Sequence, residues 1–595
     1  MWYRVPAQAH GAEIQSIGGA MKDLAIALHH CFRSRPIAAG VASVFALATP
    51  SATFASTTWP VTSCLDSGAG SLRTVVTAVT TLTGDTVSLA GLSCPGNKIA
   101  LTSAPIGVGR DNLTIVGPGK NALEIDATAL NTDGRVFDHA GTGTLTVQDL
   151  HVSGGQVYRG TAGQVALGGC IFSTANVSLK SVIVSGCNVT SMQDNARGGG
   201  VYATGTLTID HSEITGNTAY SGAGSTKGAR GGGIASKGFL TVNNSTVSGN
   251  STNAPSGFSL GGGVFTSASA DMKSAVVSGN SAISDHGASV GGGINTYGNL
   301  DFDYGLIASN SVILPNQGGG CGNAGASVNG NFAAKYSTID SNQAVGLYTQ
   351  TSTGGLGVRG NLTLEGSTVS NNSATGFTGG IDAFDNGNFD RKVFLRNSTV
   401  SGNHAKFVGG LRSTHKNIQI YNSTIAFNTA ELETINNYTL SPGIQISSSF
   451  QDVAVKMQST IVSNNTFGAG VENDFGSDGS TFAVSVTMTN TLLRASSVAT
   501  VPTVATCPLL GPLRDNGGPT QTHALLSHSP AIDAGDNVLK NPQDLPWGFD
   551  QRGGTLVNGT FDYVRESGAR ADMGAHEVQQ GDTVFDASFE GCPAV

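Results

Sequence analysis

Charge and aromatic rings are both scarce in this chain: 12% of its 595 residues are Asp, Glu, Lys or Arg, and 6% are Phe, Trp or Tyr. A thick core filled by Phe, Leu and Trp is therefore not expected. No stretch beyond the first 55 residues approaches ~20 continuous apolar residues, so nothing predicts a permanent transmembrane segment. No basic run could track a phosphate backbone, and a formal net charge of −9 repels nucleic acid and anionic headgroups. Nucleic acid is not an expected partner. The cysteines include no pair with the CxxC spacing of a zinc site, and no pattern asks for a cofactor.

What the chain has in abundance is glycine, 83 residues, in a texture of Gly, Ser, Thr, Asn and Val that runs through most of its length. Such uniformity signals repeats. Two motifs alternate. One is Ile or Val, two residues, then Asn, ending at Asn217, Asn250, Asn280, Asn310, Asn342, Asn372, Asn403, Asn428 and Asn464, at separations of 33, 30, 30, 32, 30, 31, 25 and 36 residues. Cys187 and Gly155 align with these asparagines in two earlier repeats. The other is a glycine run leading into an apolar residue: Val201, Ile234, Val264, Ile294, Cys321, Ile381 and Leu411. Between them lie alternating stretches such as Leu207-Thr208-Ile209 and Leu362-Thr363-Leu364, the period of a strand.

Three short strands per ~30 residues, with no helical period between them, exclude a βαβ unit, whose parallel crossover normally needs a helix. The fold expected is all-β: a single-stranded, right-handed parallel β-helix, a pectate-lyase-like solenoid of about eleven to twelve coils over residues 126–500. Each strand would pair with its equivalent one coil later, ~4.8 Å along the axis. The asparagines are given a structural role, tolerating left-handed turns and bonding amide to amide as a ladder.

The first 55 residues have an export pattern: Arg33 and Arg35, an apolar run at 37–48, and Thr53-Phe54-Ala55 as a cleavage site. Met21 starts a more ordinary signal peptide than Met1. Cleavage after Ala55 removes four basic and two acidic residues and takes the charge from −9 to −11. Export favours disulfides, and the pairs expected are Cys64 with Cys94 and Cys170 with Cys187, leaving Cys321, Cys507 and Cys592 unassigned. Residues 56–125 are expected to cap the solenoid and form its first coils, with Ser71 capping a short helix that carries Leu72, Val75, Val76 and Val79 on one face.

After about residue 500 the repeat gives way to Asp515-Asn516-Gly517-Gly518-Pro519, Ser529-Pro530-Ala531-Ile532-Asp533-Ala534-Gly535, Asp550-Gln551-Arg552-Gly553 and Arg570-Ala571-Asp572-Met573-Gly574-Ala575-His576-Glu577. These closely resemble the choice-of-anchor Q domain of bacterial surface proteins, whose N-terminal partner is commonly a right-handed β-helix. The opening Asp66-Ser67-Gly68-Ala69-Gly70-Ser71-Leu72-Arg73 is similar to the start of those proteins, and residues 581–595 are similar to short tails on some of them. The two alternating motifs also resemble repeats of polymorphic outer membrane adhesins, without their C-terminal β-barrel. The resemblance implies a secreted or cell-surface protein whose residues 501–580 cap and attach it. It carries no chemistry to transfer.

β-Helices also host polysaccharide enzymes, so the residues themselves decide. Asp382, Asp385, Asp390, Arg391 and Lys392 are the densest charged group on the shaft and could hold Ca²⁺ against an acidic sugar; a solvated loop is the competing reading. Asp210-His211 stands where other repeats carry Asn243-Asn244 or Glu365-Gly366. Ser289 matches a serine-hydrolase pattern by letters without its strand-to-helix turn. His523, His528, Asp533 and Asp536 could surround a metal or serve a capping motif. The reading that results is a monomeric surface β-helix presenting loops for adhesion to, or interaction with, a cell-surface or extracellular glycan or protein, without catalysis. The alternative is a polysaccharide lyase or glycoside hydrolase acting on an acidic glycan.

Overall fold

A computed structural model describes residues 56–579, apart from 79–83, 132, 223–226, 316–321, 347–351, 385–389, 436–437, 449–450, 469, 479–481, 541–547, 554–555, 558–559, 562 and 566–567, together with 592. The expected signal region, Val79, Cys321 and the C-terminal tail other than Cys592 lie outside the described residues. No helix among the described residues is long and apolar enough to cross a membrane.

The chain winds as a parallel β-solenoid. One face is a 13-stranded sheet running from Ile106–Val108 to Phe475–Ser477; its first strand lies in the expected cap segment and the other twelve lie within residues 126–500, in line with the repeat count. A representative coil places Val201–Ala203 on this first face. Leu207–Asp210 and Glu213–Thr215 follow on a broad 27-stranded sheet, and Thr218–Ser221 lies on a 12-stranded third face. Each coil thus has four strands where the sequence suggests three, because the alternating stretch bends in the middle. His211 at φ 49° makes the bend in this coil, and Asn244, Asn397 and Asn422, at φ 46–47°, make it in others. Five coils add a further strand, forming a side strip of Ala166–Leu167, Ala196–Arg197, Gly228–Arg230, Phe258–Leu260 and Ser289–Val290.

Register explains how a chain poor in aromatics fills a core. Inward positions stack like on like, as in Val201, Ile234, Val264 and Ile294, all fully buried. Burying each such side chain contributes roughly 1.5–3 kcal/mol. Where a ring enters, its neighbours shrink: Ala270 and Met272 are followed one coil later by Leu300 and Phe302, and then by Phe332 and Ala334. No two rings are stacked directly on one another in these two columns, which keeps the core closely packed.

At the N-terminal end Leu72–Ala78 forms the one α-helix among the described residues. Ser71 caps it, accepting the Thr74 amide at 3.3 Å, and Leu72 and Val76 are buried. The Cys64–Cys94 disulfide and an Asp66–Arg73 ion pair at 2.5 Å fasten this segment. Burial alone would raise the Asp66 pKa, but hydrogen bonds from Ser103, Arg73 and Thr102 outweigh it and bring it to about 2.

Truncating the fully buried Phe302 to Ala opens a cavity beside Ala334 and is expected to cost about 3–5 kcal/mol. Amide exchange read coil by coil should show the loss centred on residues 272–335.

Candidate functional site

The two sequence motifs meet inside the shaft as one device. The Oδ1 of Asn310 accepts the backbone N–H of Asn280 at 3.0 Å and its Nδ2 at 2.9 Å. The Nδ2 of Asn310 in turn donates to Oδ1 of Asn342 and to the carbonyl of Val277, both at 2.9 Å. The same pattern recurs at Asn217, Asn250, Asn280, Asn342, Asn372, Asn403 and Asn428, all at most 1% exposed. Each amide thereby ties three successive coils, and the carbonyl it takes is that of the Ile or Val opening the preceding motif.

The last member differs from expectation. Strand register pairs Ile425 with Val462, so Asn465, not Asn464, takes the ladder position. Asn464 occupies the preceding bend, at φ 59°, where earlier coils have Gly216 or Gly249. Ile461 and Val462 are both β-branched and both asparagines are plausible, so spacing alone could not choose.

Beyond Asn465 the file ends on Asp474, whose Oδ1 accepts both the amide N–H and Nδ2 of Asn465 and whose Oδ2 accepts the Ala495 N–H. Burial and the neighbouring Glu472 push its pKa well up. At the other end Cys187, bonded to Cys170, fills the ladder position and donates its N–H to Asn217, while Gly155 donates to the Cys170 sulfur at 3.3 Å.

Glycine lies opposite each asparagine. A β-carbon at Gly293 would sit 2.9 Å from Cγ of Asn310 and 2.6 Å from the Gly325 carbonyl. Gly325, not the run ending at Cys321, supplies this position in the next coil, since Ile294 pairs with Ala326.

The C-terminal region packs along the flank of the last coils rather than only over their end. Thr368 donates to Gln521 O, Ser401 bonds Nε2 of His523 at 2.7 Å, Arg565 donates to Asn397, and the Ala575 N–H reaches Thr424. Its motif residues are spent inside this dock: Arg552 binds Asp550, Glu577 accepts the Asp572 N–H, and Asp572 accepts the Asp533 N–H. Cys507 pairs with Cys592. His523, His528, Asp533 and Asp536 form no metal cluster; no group of three or more candidate ligands exists among the described residues.

The acidic group on the shaft is likewise dispersed. Asp382 pairs with Arg412 at 3.1 Å, and burial raises its pKa despite that partner. Asp390 is 94% exposed and meets Lys416 at 3.4 Å, and Asp385 lies outside the described residues. Asp210 and His211 pair with each other at 2.9 Å on the outside of a bend. Ser289 lies in a strand of the side strip.

A concave site among the described residues was not read from the sequence. The side strip folds back over the first face, and a cavity of ≈ 210 Å³ opens between them. Arg197 and Arg230 are register partners one coil apart on the strip; Tyr202 and Phe265 face outward from the first face. Lys237 and Tyr297, the latter 47% exposed, stand at the rim. Phe265 and Tyr297 meet edge-on at 5.4 Å, and the Arg230 guanidinium lies 5.7 Å from the Phe265 ring. The cavity lining includes no carboxylate. Nε of Arg197 and of Arg230 is buried without a hydrogen-bond partner. Burial, then the charge of Arg197, lowers the Arg230 pKa. The signal for this site was the residue on either side of each glycine run, Arg197 and Tyr202 in one coil and Arg230 in the next, which lies outside both motifs.

Comparison with protein-family models, with curated proteins and with solved structures finds no match.

Two opposed titrations govern the flank dock. Burial lowers the His523 pKa to about 4, so stability it contributes above pH ~6.5 is lost as pH falls toward 4. Burial raises Asp572 to about 6, with the opposite sign: the dock gains as pH falls from 6 toward the ordinary carboxylate range. Each spans roughly 3 kcal/mol by linkage, so they nearly cancel. The wild-type dock is expected to be almost pH-independent between 4 and 6.5, whereas in His523→Gln residues 510–578 should gain amide protection as pH falls from 6 to 4. Equal profiles for the two proteins would contradict this.

Proposed function

We propose that this chain is an extracellular, non-catalytic β-solenoid that binds a glycan or protein of the cell envelope or its surroundings. The observation that carries the reading is the cavity between side strip and first face, lined by cations and aromatic rings and by no carboxylate. Such a lining suits recognition of an anion, and it lacks the paired carboxylates that glycoside hydrolysis uses. Disulfides at Cys64–Cys94, Cys170–Cys187 and Cys507–Cys592 support an oxidising compartment. The solenoid is taken as right-handed, the usual sense of parallel crossovers. The resemblance to choice-of-anchor Q proteins supports surface residence. Because its motif residues are buried in the flank dock, attachment falls to other surfaces of residues 501–595.

The test incubates residues 56–595 with cell-wall fractions and with acidic and neutral polysaccharides. Co-sedimentation without release of reducing ends or unsaturated products is the expected outcome. Depolymerisation would overturn the reading in favour of a lyase or hydrolase, and absence of retention on every fraction would remove it altogether.

A further inference from the structure

We propose that the cavity between the side strip and the first face binds an anionic sugar of an acidic glycan, its charged group held by Arg197 and Arg230 and its ring set against Tyr297 and Phe265. This rests on the binding reading above and names the ligand class for it.

Stacking fixes the geometry. Arg197 and Arg230 pair in register, so their backbones are one strand spacing apart, ~4.8 Å. Two arginines whose backbones are one strand spacing apart can bring both guanidiniums to one carboxylate or sulfate, with the planar donor fork suited to either. Nε of both arginines is buried without a hydrogen-bond partner, and among the described residues neither side chain makes an ion pair, whereas Arg135 is spent on Asp138 at 2.9 Å and on the Leu167 carbonyl. Two unpaired like charges side by side are unfavourable, and a bound anion relieves them. The arrangement also inverts the local potential: a chain of net charge −9 gathers Arg197, Arg230 and Lys237 at one cavity with no acid among its lining. Acidic ligands are repelled elsewhere and drawn here.

The rings select the rest of the ligand. Tyr297 is held edge-on against buried Phe265, which presents a firm apolar wall beside the cations. The cavity, at ≈ 210 Å³, falls below the ~300–1,000 Å³ of sites that engulf drug-sized ligands, so it takes one residue of a chain whose remainder runs along the exposed surface. A sugar ring, flat and apolar on one face and charged at one substituent, matches wall and fork at once. An acidic peptide matches the fork alone.

The experiment is calorimetric titration of residues 56–595 with a short oligogalacturonate, a sulfated oligosaccharide of similar length, its neutral counterpart and a polyglutamate peptide. Binding of an anionic oligosaccharide is expected, stronger at low salt. It should weaken at least tenfold in Arg197→Gln/Arg230→Gln, and severalfold in Tyr297→Ala, a rim change that leaves the cations in place. The first two ligands tell carboxylate from sulfate. Thermal unfolding of both variants should match or exceed wild type, since an unpaired charge pair is removed and Tyr297 is half exposed. No binding of either anionic sugar, equal binding of the neutral one, or unchanged affinity in the double variant would overturn the assignment. Peptide binding indifferent to Tyr297→Ala would give the site to an acidic protein segment instead. Retention of the double variant on cell-wall fractions at wild-type level would sink this site while leaving surface binding intact; loss of retention by wild type would sink the broader reading.

Discussion

A buried side-chain amide that bonds to its copies above and below is the constraint on which the rest of this molecule depends. Taking an amide out of water without partners costs several kcal/mol, so it is tolerated only when every donor and acceptor is used. The ladder meets that demand: from Asn250 to Asn428 each Oδ1 takes two donors from the preceding coil, and each Nδ2 serves two acceptors, one on either side. Only Asn fits. Asp offers no donor, and Gln reaches one bond too far. At residue 474, where the file ends, an Asp takes the place of the next amide and accepts both Asn465 donors.

The ladder dictates the glycines. An amide lying across the shaft leaves no room opposite it for a β-carbon, as the contacts at Gly293 and Gly355 make plain. Once amides and glycines hold the coils in register, the core can be thin, and single rings such as Phe302 are absorbed by smaller neighbours. Insertions after the ladder position then cost little beyond loop closure, which grows slowly with length. The side strip arises from such insertions, and the basic, aromatic cavity lies beneath it. On another flank, outward Thr368, Thr399 and Thr424 provide the polar surface onto which residues 510–578 dock.

Much of the fold was legible because a solenoid writes its geometry into the spacing of its residues. The strands, the ladder from Asn217 to Asn428 and the pairs Cys64–Cys94 and Cys170–Cys187 followed from that periodicity and from proximity of the cysteines. Reading failed where two residues satisfied one pattern, as with Asn464 and Asn465, and where the glycine that serves the ladder, Gly325, stands apart from the run at 318–320. It also failed at the bends. Asp, His, Ser, Tyr and Asn all serve as the left-handed residue between the two strands of the broad sheet, so no letter marks it. The cavity was hidden for a related reason. Arg197, Arg230, Tyr202, Phe265 and Tyr297 are variable positions beside invariant-looking ones, and only register brings them together. For the acidic residues at 382 and 390, closeness in sequence is not closeness in a coil: Asp382 faces Arg412, one turn on.

Native-state hydrogen exchange of Asn310→Ala tests the central claim most directly. That change leaves the Asn280 N–H and Nδ2 without their acceptor and the Val277 carbonyl without its donor. The account predicts that the Asn280 amide, together with coils on both sides of residue 310, loses roughly 2–4 kcal/mol of protection, while coils near residue 430 keep theirs. Unchanged exchange at Asn280 would contradict it, and would mean that the apolar stack alone holds the coils in register.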